Sequence, residues 1–387
     1  MAAGAPRVVM VISNFHPYVG GAERQSLELS KALKAMGLEI TVLTRRHFND
    51  GLPAGEDVEG IRVRRLCVWG WSLFVDSLLF MIRSFVWLCR HAGDCLAIHA
   101  HLAGSHALAS AAAGKLLKKP VFIKLGGGAG IGELAASHDT RAGRLKLKLL
   151  KWVPPTSFVA VTGDLVEELK RYGLGNASVE VVPNGVDTRR FHPVSAEEKA
   201  LCRGRMGWPA TAPCFLYVGR LAPEKQLETF LGVFAEALRD AGADAWFSLI
   251  GQGPERGALW EAHQRIGLQA HVRFQHAAPR IEWAYRAADV FVLPSISEGL
   301  SNALLEAMAS GLAVLASRVG GTREAVLEGN HGLLFDPRDR AGMKAQLLRF
   351  LREPGLAAGM GARARAKAES DFDISAVARR YRELYGS

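Results

Sequence analysis

Hydrophobic and polar positions come in alternating blocks along the first half of the chain. Short β-branched runs such as RVVMVIS, EITVLT, CLAIHAHL and PVFIKLG are apolar on both faces, as strands are in a covered parallel sheet. Between them lie segments with apolar residues at helical spacing, among them ERQSLELSKALKAMG and SHALASAAAGKLLKK. Strands and helices in alternation predict a parallel sheet with helices on both faces.

This pattern pauses once and then starts again. The pause is the turn-rich segment VVPNGVDTRRFHP, and after it CFLYVGR, AWFSLIG, VFVLPS and LAVLAS each precede a helix-like stretch. A chain of 387 residues is also too long for one core. We therefore predict an α/β fold of two facing Rossmann-like domains, 1–187 and 188–368, with a cleft between them and a helical segment at 369–387. Ligands of such sheets bind in the loops at the carboxyl ends of the strands.

Composition and charge narrow the class of partner. The formal net charge of +10 favours anionic partners. No recognition helix, zinc-ligand spacing or aromatic strand motif indicates nucleic-acid recognition, so nucleic acid is not an expected partner. The five cysteines form no C-x-x-C pair, and the start MAAGAPRVVMVISN lacks the features of a secretory signal. Reduced thiols and a cytoplasmic location are the expectation.

Two segments raise the question of a membrane. Residues 69–89 are apolar enough to suggest a span, but Asp76 and Arg83 would each cost about 2.5–3.5 kcal/mol at the bilayer centre. Both fall on one polar stripe with Ser72 and Arg90, which favours a half-buried crossover helix.

Residues 141–153, RAGRLKLKLLKWV, show a different pattern. On a helical wheel the apolar residues gather on one side and four of the five basic residues on the other, with Lys146 between them. This pattern fits peripheral docking on an anionic membrane surface, and it equally fits a solvated helix over the core. Both interpretations stay open from the sequence.

Several strand-end loops carry candidate binding groups. Gly20 and Gly21 precede a helix, where backbone N–H groups attract anions, although a plain tight turn explains them too. Arg220 ends a strand and Lys225 follows at the start of a helix, so both cations can converge on one anionic group. The alternative is an ordinary surface ion pair between Arg220 and Glu224.

Two glutamates bracket the stretch SISEGLSNALLEAMASG. Ser301 or Asn302 can cap a helix that runs through Ala309, and Glu306 is the only charge on this apolar helix. A buried carboxylate without a partner costs several kcal/mol, so Glu306 needs a cation, a backbone turn or a polyhydroxylated ligand. Composition alone leaves Glu298 solvated.

A metal site is not expected. His99 and His101 share an i, i+2 spacing at the end of one strand, but no third ligand of fitting character is near them in sequence. Packing and hydrogen bonding are the preferred interpretation for both.

Taken together, these motifs resemble a known family. GGAERQ, PNGVD, VGRLAPEK, GQGP, EGLSNALLEAMASGLAVLAS and VGGTREAV are similar to motifs of the retaining glycosyltransferases of family 4, which have the GT-B fold. The resemblance spans nearly the whole chain. It implies transfer of a sugar from a nucleotide-diphosphate sugar to a hydroxyl acceptor, and a last helix that crosses back to the N-terminal domain.

The resemblance also implies residue roles. Arg220 and Lys225 would neutralise the leaving diphosphate, Glu298 would contact the transferred sugar, and Glu306 would hold the ribose hydroxyls. Further donor-binding positions implied in this way are Gly20, Gly21, Gly253, Leu300 and Ser301. Fixed cations and helix N-termini can stabilise the departing diphosphate without a metal, and no cofactor is expected besides the nucleotide-sugar substrate. The family is thought to use front-face attack, so the resemblance implies no separate base.

One position departs from the family pattern. Many members have a histidine where this chain has Gly126 and Gly127, so its sugar contact is absent, replaced by backbone, or supplied by Lys124 or His101. Two rival functions also remain from the sequence: a nucleotide-sugar epimerase on a similar scaffold, and a catalytically silent nucleotide-sugar-binding protein. The acceptor expected is a hydroxyl, with a membrane-linked glycan suggested by residues 141–153.

Overall fold

The computed structural model describes residues 5–18, 20–70, 72–128, 130, 132–276 and 280–386. The chain divides into two compact units. The first unit consists of Met1–Gly185 with Ile374–Ser387, and the second of Val186–Asp373. Each unit contains one largely parallel sheet with helices, which confirms the prediction of two Rossmann-like domains.

The first unit is built on an eight-stranded sheet of order β3-β4-β2-β1-β5-β6-β7-β8. Among the described strands of this sheet, only β3 and β4 pair in antiparallel fashion. The strands are β1 (Arg7–Val11), β2 (Glu39–His47), β3 (Gly55–Val58), β4 (Ile61–Val68), β5 (Ala97–His101), β6 (Val121–Leu125), β7 (Ser157–Ala160) and β8 (Ser178–Val181). The helices of its continuous part are α1 (Gly21–Ala35), α2 (Leu73–His91), α3 (Ser105–Leu117), α4 (Glu133–His138), α5 (Arg141–Trp152) and α6 (Gly163–Arg171).

The second unit is built on a six-stranded parallel sheet of order β11-β10-β9-β12-β13-β14. Its strands are β9 (Cys214–Val218), β10 (Trp246–Ile250), β11 (Val272–Gln275), β12 (Val290–Leu293), β13 (Ala313–Ser317) and β14 (Gly332–Phe335). Its helices are α7 (Ala196–Met206), α8 (Leu227–Ala241), α9 (Arg256–Ile266), α10 (Ile281–Ala287), α11 (Asn302–Ala309), α12 (Gly320–Ala325), α13 (Arg340–Arg352) and α14 (Leu356–Asp371). A 3₁₀ turn at Pro223–Lys225 precedes α8.

The last helix, α15 (Ile374–Gly386), belongs to the first unit and packs against α1. Val377, Ala378, Tyr381 and Tyr385 are buried in the same hydrophobic cluster as the strands β1 and β2. Its amphipathic pattern, with apolar residues at i, i+3 and i+4 spacing, explains this packing. The core of the first unit is therefore completed by a segment far away in sequence.

Helix α2 was expected to be a half-buried crossover helix, and no helix in the described part of the chain is long and apolar enough to span a membrane. The exposure of the α2 side chains nevertheless differs from that of an ordinary amphipathic helix, whose polar side chains face water. Asp76 is buried and accepts the Gly70 N–H at 2.9 Å, and Arg83 donates to the Cys67 carbonyl. The most exposed side chains of the helix include apolar ones such as Phe74 and Ile82.

Candidate active site

The candidate site of the second unit lies where its strand order reverses. From β9 the chain proceeds to β10 and β11 on one side, whereas β12 lies on the other side of β9 and leads to β13 and β14. The loops after β9 and β12 diverge at such a point, and the crevice between them is where open parallel sheets bind ligands. The loop after β9 carries Arg220 and Lys225, and the loop after β12 carries Glu298.

Lys225 and Glu298 form an ion pair across this crevice. The Lys225 Nζ donates to Glu298 Oε1 at 2.5 Å, and the Ser295 hydroxyl donates to the same oxygen at 2.6 Å. Both charged side chains are largely withdrawn from solvent, with 17% and 11% of their side-chain surface exposed. The prediction of a solvated Glu298 from composition is wrong, because its partner lies 73 positions away in the sequence.

Arg220 has a different environment. It forms an ion pair with Glu224 while 66% of its side chain stays exposed, which is the surface bridge that the sequence left open. The Glu224 carbonyl accepts the Ile296 N–H at 2.8 Å, so the loops after β9 and β12 are joined. The buried Tyr217 donates to the Arg220 carbonyl at 2.8 Å, and its pKa is raised by burial and by the nearby carboxylates of Glu298 and Glu224.

Helix α11 starts and ends as its sequence predicts. The Ser301 hydroxyl accepts the Leu304 N–H at 3.3 Å, which makes Ser301 the N-cap. Leu300, next to it, is buried. Glu306 is also buried, and its Oε2 accepts a hydrogen bond from the Tyr285 hydroxyl at 2.8 Å. One of its partners is thus a phenol of α10, which the sequence had not suggested.

Two glycines allow the loops at this edge to pack backbone against backbone. A Cβ at Gly253 would lie 2.1 Å from the Leu221 carbonyl oxygen, in the loop after β9. A Cβ at Gly320 would lie 1.9 Å from the Glu298 carbonyl oxygen, and Gly320 has a φ of 41°. Any other residue at Gly320 would displace the backbone of Glu298. These glycines thus fix the positions of the loops that carry Leu221 and Glu298.

The corresponding loop of the first unit follows β1. Gly20 is the N-cap of α1, with extended backbone at φ −149°, and Gly21 is the first residue of the helix. The Glu23 side chain folds back towards Gly20, and burial raises the pKa of its carboxyl group. Contact of Gly20 and Gly21 with donor phosphates stays a prediction.

His101 and Lys124 lie inside the first unit. His101 stacks on His99 with ring centroids 4.4 Å apart, and burial holds its pKa well below the ordinary value. Lys124 is 4% exposed, lies 5.6 Å from the centre of the Tyr381 ring, and has a pKa lowered by burial to about 7. Neither side chain presents an exposed surface to a sugar, so their proposed substitution for the family histidine has no support from this geometry.

The glycine-rich loop after β6 is closed by an internal carboxylate. Glu133 at the start of α4 accepts the N–H of Gly126 at 3.0 Å and that of Gly127 at 3.1 Å. The sequence did not single out Glu133. The sequence did contain a signal for this role, namely a glutamate that follows closely after a glycine-rich segment. Such a carboxylate can accept hydrogen bonds from the backbone N–H groups of that segment.

The sequence comparisons agree with this geometry. Residues 19–190 match the family described as Glycosyltransferase Family 4, and residues 200–367 match Glycosyl transferases group 1. A D-inositol 3-phosphate glycosyltransferase of Frankia alni is 32% identical over 93% of this chain and 92% of its own length. The chain belongs to the family 4 glycosyltransferases. A second D-inositol 3-phosphate glycosyltransferase, of Kineococcus radiotolerans, is 30% identical over 95% of this glycosyltransferase and 90% of its own length.

Solved structures show the same fold for this glycosyltransferase. Sucrose-phosphate synthase from Thermosynechococcus elongatus gives a TM-score of 0.80 at 22% identity over 98% of each chain. Anabaena HepE, solved in complex with UDP and glucose, gives 0.79 at 18% identity over 98% of this chain and 99% of its own. The predicted GT-B fold is therefore confirmed. Within the described residues of the glycosyltransferase, no group of three His, Cys, Asp or Glu side chains is arranged to hold a metal ion.

Proposed function

We propose that this glycosyltransferase moves a hexosyl-type sugar from a UDP-sugar to a hydroxyl group of its acceptor, with retention of the anomeric configuration and without a metal. The observation that carries the proposal is the Lys225–Glu298 ion pair at the reversal of strand order. It places a fixed cation and a fixed carboxylate in the crevice where a nucleotide sugar would bind. The complexes of Anabaena HepE with UDP and with UDP-glucose support the choice of donor.

The proposed step breaks the bond between the sugar's anomeric carbon and the diphosphate oxygen, which keeps the electron pair. Arg220 and Lys225 stabilise that charge, and such preorganised charges supply much of an enzyme's rate enhancement. The acceptor oxygen bonds to the anomeric carbon on the same face, and its proton passes to a phosphate oxygen of the leaving group. Glu298 accepts hydrogen bonds from the transferred sugar.

The two cations have different parts in this proposal. An exposed ion pair such as Arg220–Glu224 contributes only about 0–1 kcal/mol to stability. A bound diphosphate can therefore replace Glu224 as the partner of Arg220 with little loss of free energy. Lys225 is held in place by a largely buried carboxylate. Lys225 therefore gives a preset charge, and Arg220 closes on the donor when it arrives.

The remaining donor contacts are assigned by the same proposal. Glu306 binds the ribose hydroxyls, and the backbone N–H groups near Leu300 and Ser301 approach the phosphates at the start of α11. The loops containing Gly20, Gly21 and Gly253 complete the donor site. Glu306 keeps its bond from Tyr285 in this arrangement, so the phenol orients the carboxylate for the ribose.

Two classes of acceptor can supply the hydroxyl group in this proposal. The relatives named D-inositol 3-phosphate glycosyltransferases support a phosphorylated polyol, and residues 141–153 support a membrane-linked glycan precursor. A cytoplasmic reaction, with peripheral attachment to the membrane, is the setting that we propose for either acceptor. The epimerase alternative gains no support from the relatives described above.

The test combines donor screening with two substitutions. UDP-, GDP- and ADP-sugars are incubated with the protein, with and without acceptors, in the presence of a chelator, and free nucleotide is measured. We expect UDP release, faster with an acceptor, and a loss of about 10²-fold or more in Arg220→Ala and Lys225→Ala. Lys344→Ala, which removes a cation paired with Asp240 in the same unit, is the matched control.

The outcomes separate the hypotheses. An altered sugar still joined to its nucleotide would indicate an epimerase, and donor binding without any release would indicate a silent binding protein. Unchanged turnover in both the Arg220 and the Lys225 variants would overturn the diphosphate assignment.

A further inference from the structure

Three neighbouring helices cover one face of the eight-stranded sheet. Parallel strands are joined by right-handed crossovers, and the step from β1 to β2 runs across the sheet in the opposite direction to the steps β5–β6 and β6–β7. Helix α1, which makes the first step, therefore lies on one face, and α3 and α5 lie on the other. Helix α2 packs along α3, so α2, α3 and α5 form one continuous layer.

The outer side of α2 is apolar along its length. Phe74, Leu78, Ile82 and Val86 follow each other at intervals of four residues and are all exposed, Phe74 at 64% and Ile82 at 50%. Four-residue spacing places them on one stripe of the helix. The opposite side carries the buried Phe80 and Leu88 together with the buried Asp76 and Ser84. This helix thus has an apolar buried side that includes two polar groups, and it also presents large apolar groups outward.

Helix α5 adds basic residues beside this stripe. Thr140 caps the helix, and Leu147 and Leu150 anchor it to the core. Its outer side mixes apolar and basic side chains, and Trp152 is 75% exposed. The exposed residues of α5 that matter here are Arg141, Arg144, Leu145, Lys148, Leu149, Lys151 and Trp152.

Lys146 does not share this orientation. Its Nζ donates to the Ala103 carbonyl and to the Ser137 hydroxyl, the latter at 2.6 Å. The sequence pattern had placed it between the two sides of the helix, and the structure turns it inward. The remaining four basic residues of α5 therefore form the exposed charge.

Acidic residues are almost absent from this layer. The sequences of α2, α3 and α5 contain one acidic residue, Asp76, and it is buried. Exposed basic residues outside α5 are Arg90 on α2 and Lys115 on α3. The outer surface of these three helices is thus apolar and positively charged, and it matches a surface that is apolar inside and anionic outside.

We propose that this face docks on an anionic phospholipid bilayer. The docking face is defined by the stripe Phe74, Leu78, Ile82 and Val86 of α2 together with the exposed residues of α5. The apolar side chains enter the headgroup region while the arginines and lysines pair with lipid phosphates and carboxylates. A second copy of the chain is a poorer occupant, since it would bring a like positive charge against this face.

The inference deepens the peripheral membrane attachment that is part of the proposed function. The experiment measures binding of the full chain to sedimented vesicles without nucleotide sugar, so its outcome is separate from that of the proposed sugar transfer. Neutral phosphatidylcholine vesicles are compared with vesicles that contain about 30% phosphatidylserine. We expect the unaltered protein to bind the anionic vesicles about ten-fold or more better, with loss of this preference at high salt. Phe74→Ser/Ile82→Ser should weaken binding to anionic vesicles about ten-fold, and Lys148→Glu/Lys151→Glu should abolish the preference.

Matched variants elsewhere make the result specific. Leu201→Ser and Leu327→Ser change exposed apolar residues of the second unit, and Arg379→Glu/Arg382→Glu reverses two exposed charges on α15. These should bind as the unaltered protein does, and all variants should keep its melting temperature. The proposal is overturned if anionic vesicles are not preferred or if the control variants lose binding equally. It is also overturned if sedimentation velocity shows a dimer that Phe74→Ser/Ile82→Ser dissolves.

Discussion

At the scale of single residues, the buried carboxylate of Glu306 shows how a charge is accommodated on an apolar helix. Its bond from the Tyr285 hydroxyl spans two elements of the second unit. Removing a hydrogen bond to a charged group costs about 1.5–3 kcal/mol. We expect Tyr285→Phe to lower the free energy of unfolding by that amount, measured by urea denaturation with circular dichroism.

A second tyrosine offers the comparison. Tyr381 is fully buried as well, but no described atom forms a hydrogen bond with its hydroxyl. Burial takes the Tyr381 hydroxyl away from water without giving it a hydrogen bond among the described atoms. Tyr381→Phe removes this hydroxyl, so the free energy of unfolding should stay the same or increase. Equal losses in the two variants would contradict the role given to the Tyr285–Glu306 bond.

The sequence predicted part of this residue-level picture. Burial of Glu306 follows from the apolar helix around it, and a serine cap follows from the residues before it. Its partner does not follow, because Tyr285 lies in a different helix and only the folded sheet brings the two together. The same limit hid the pairing of Lys225 with Glu298, whereas local signals were sufficient for Arg220 and Glu224, four residues apart.

Lys124 gives a prediction about pH. Burial lowers its pKa to about 7, against about 10.4 for an exposed lysine. Between these values the unfolded chain binds a proton that the folded protein lacks, so this group makes the free energy of unfolding rise with pH. Lys124→Met should remove a rise of up to about 1.4 kcal/mol per pH unit between pH 7 and 10.

The measurement is urea denaturation at pH 7, 8 and 9. Lys115→Met, which replaces an exposed lysine of the same unit, is the control and should follow the unaltered protein at each pH. Parallel stability curves for Lys124→Met and the unaltered protein would contradict the assigned titration of Lys124.

At the scale of elements, loop packing at the edge of the second sheet can be tested with two glycines. Gly320 and Gly329 both have positive φ, at 41° and 73°. A Cβ at Gly320 would collide with the Glu298 carbonyl, whereas a Cβ at Gly329 would meet nothing within 4 Å. Both alanine substitutions therefore carry backbone strain of about 1–2 kcal/mol, but only Gly320→Ala displaces Glu298.

We expect Gly320→Ala to lose transferase activity by about ten-fold or more, because the proposed function gives Glu298 a contact with the transferred sugar and small misplacements of such groups are costly. Gly329→Ala should keep its activity despite a similar change in stability. Assays are run below the melting temperature of both variants. Equal activity of the two variants would show that contact between these loops does not position Glu298.

Secondary structure was the best predicted feature at this scale, because period and turn residues are local. The orientation of α2 was not. Its polar residues lie on one stripe, which normally faces water, yet Asp76 caps a backbone N–H of the preceding loop and Arg83 binds a carbonyl of β4. The orientation of α2 is set by hydrogen bonds between its polar side chains and backbone groups of the preceding segment. A hydropathy pattern does not show which backbone groups require a hydrogen-bond partner.

At the scale of the whole molecule, the chain leaves the first unit after Gly185 and returns to it at Ile374. The second unit is one continuous segment with its own sheet and core. We expect a fragment of residues 186–373 to fold alone and to melt cooperatively. A fragment of residues 1–185 lacks α15, whose Val377, Tyr381 and Tyr385 are part of the core of the first unit.

Fully burying one large apolar side chain contributes about 1.5–3 kcal/mol, and whole domains are stable by only about 5–15 kcal/mol. Loss of α15 should therefore leave residues 1–185 without a cooperative melting transition and with an apolar surface that binds a fluorescent dye. The ends to be joined are close, since a Cβ at Gly185 would lie 2.9 Å from the Ile374 Cα. A short Gly/Ser linker from Gly185 to Ile374 should then restore cooperative melting. If residues 1–185 melt as sharply without α15 as with it, the last helix is not part of that folding unit.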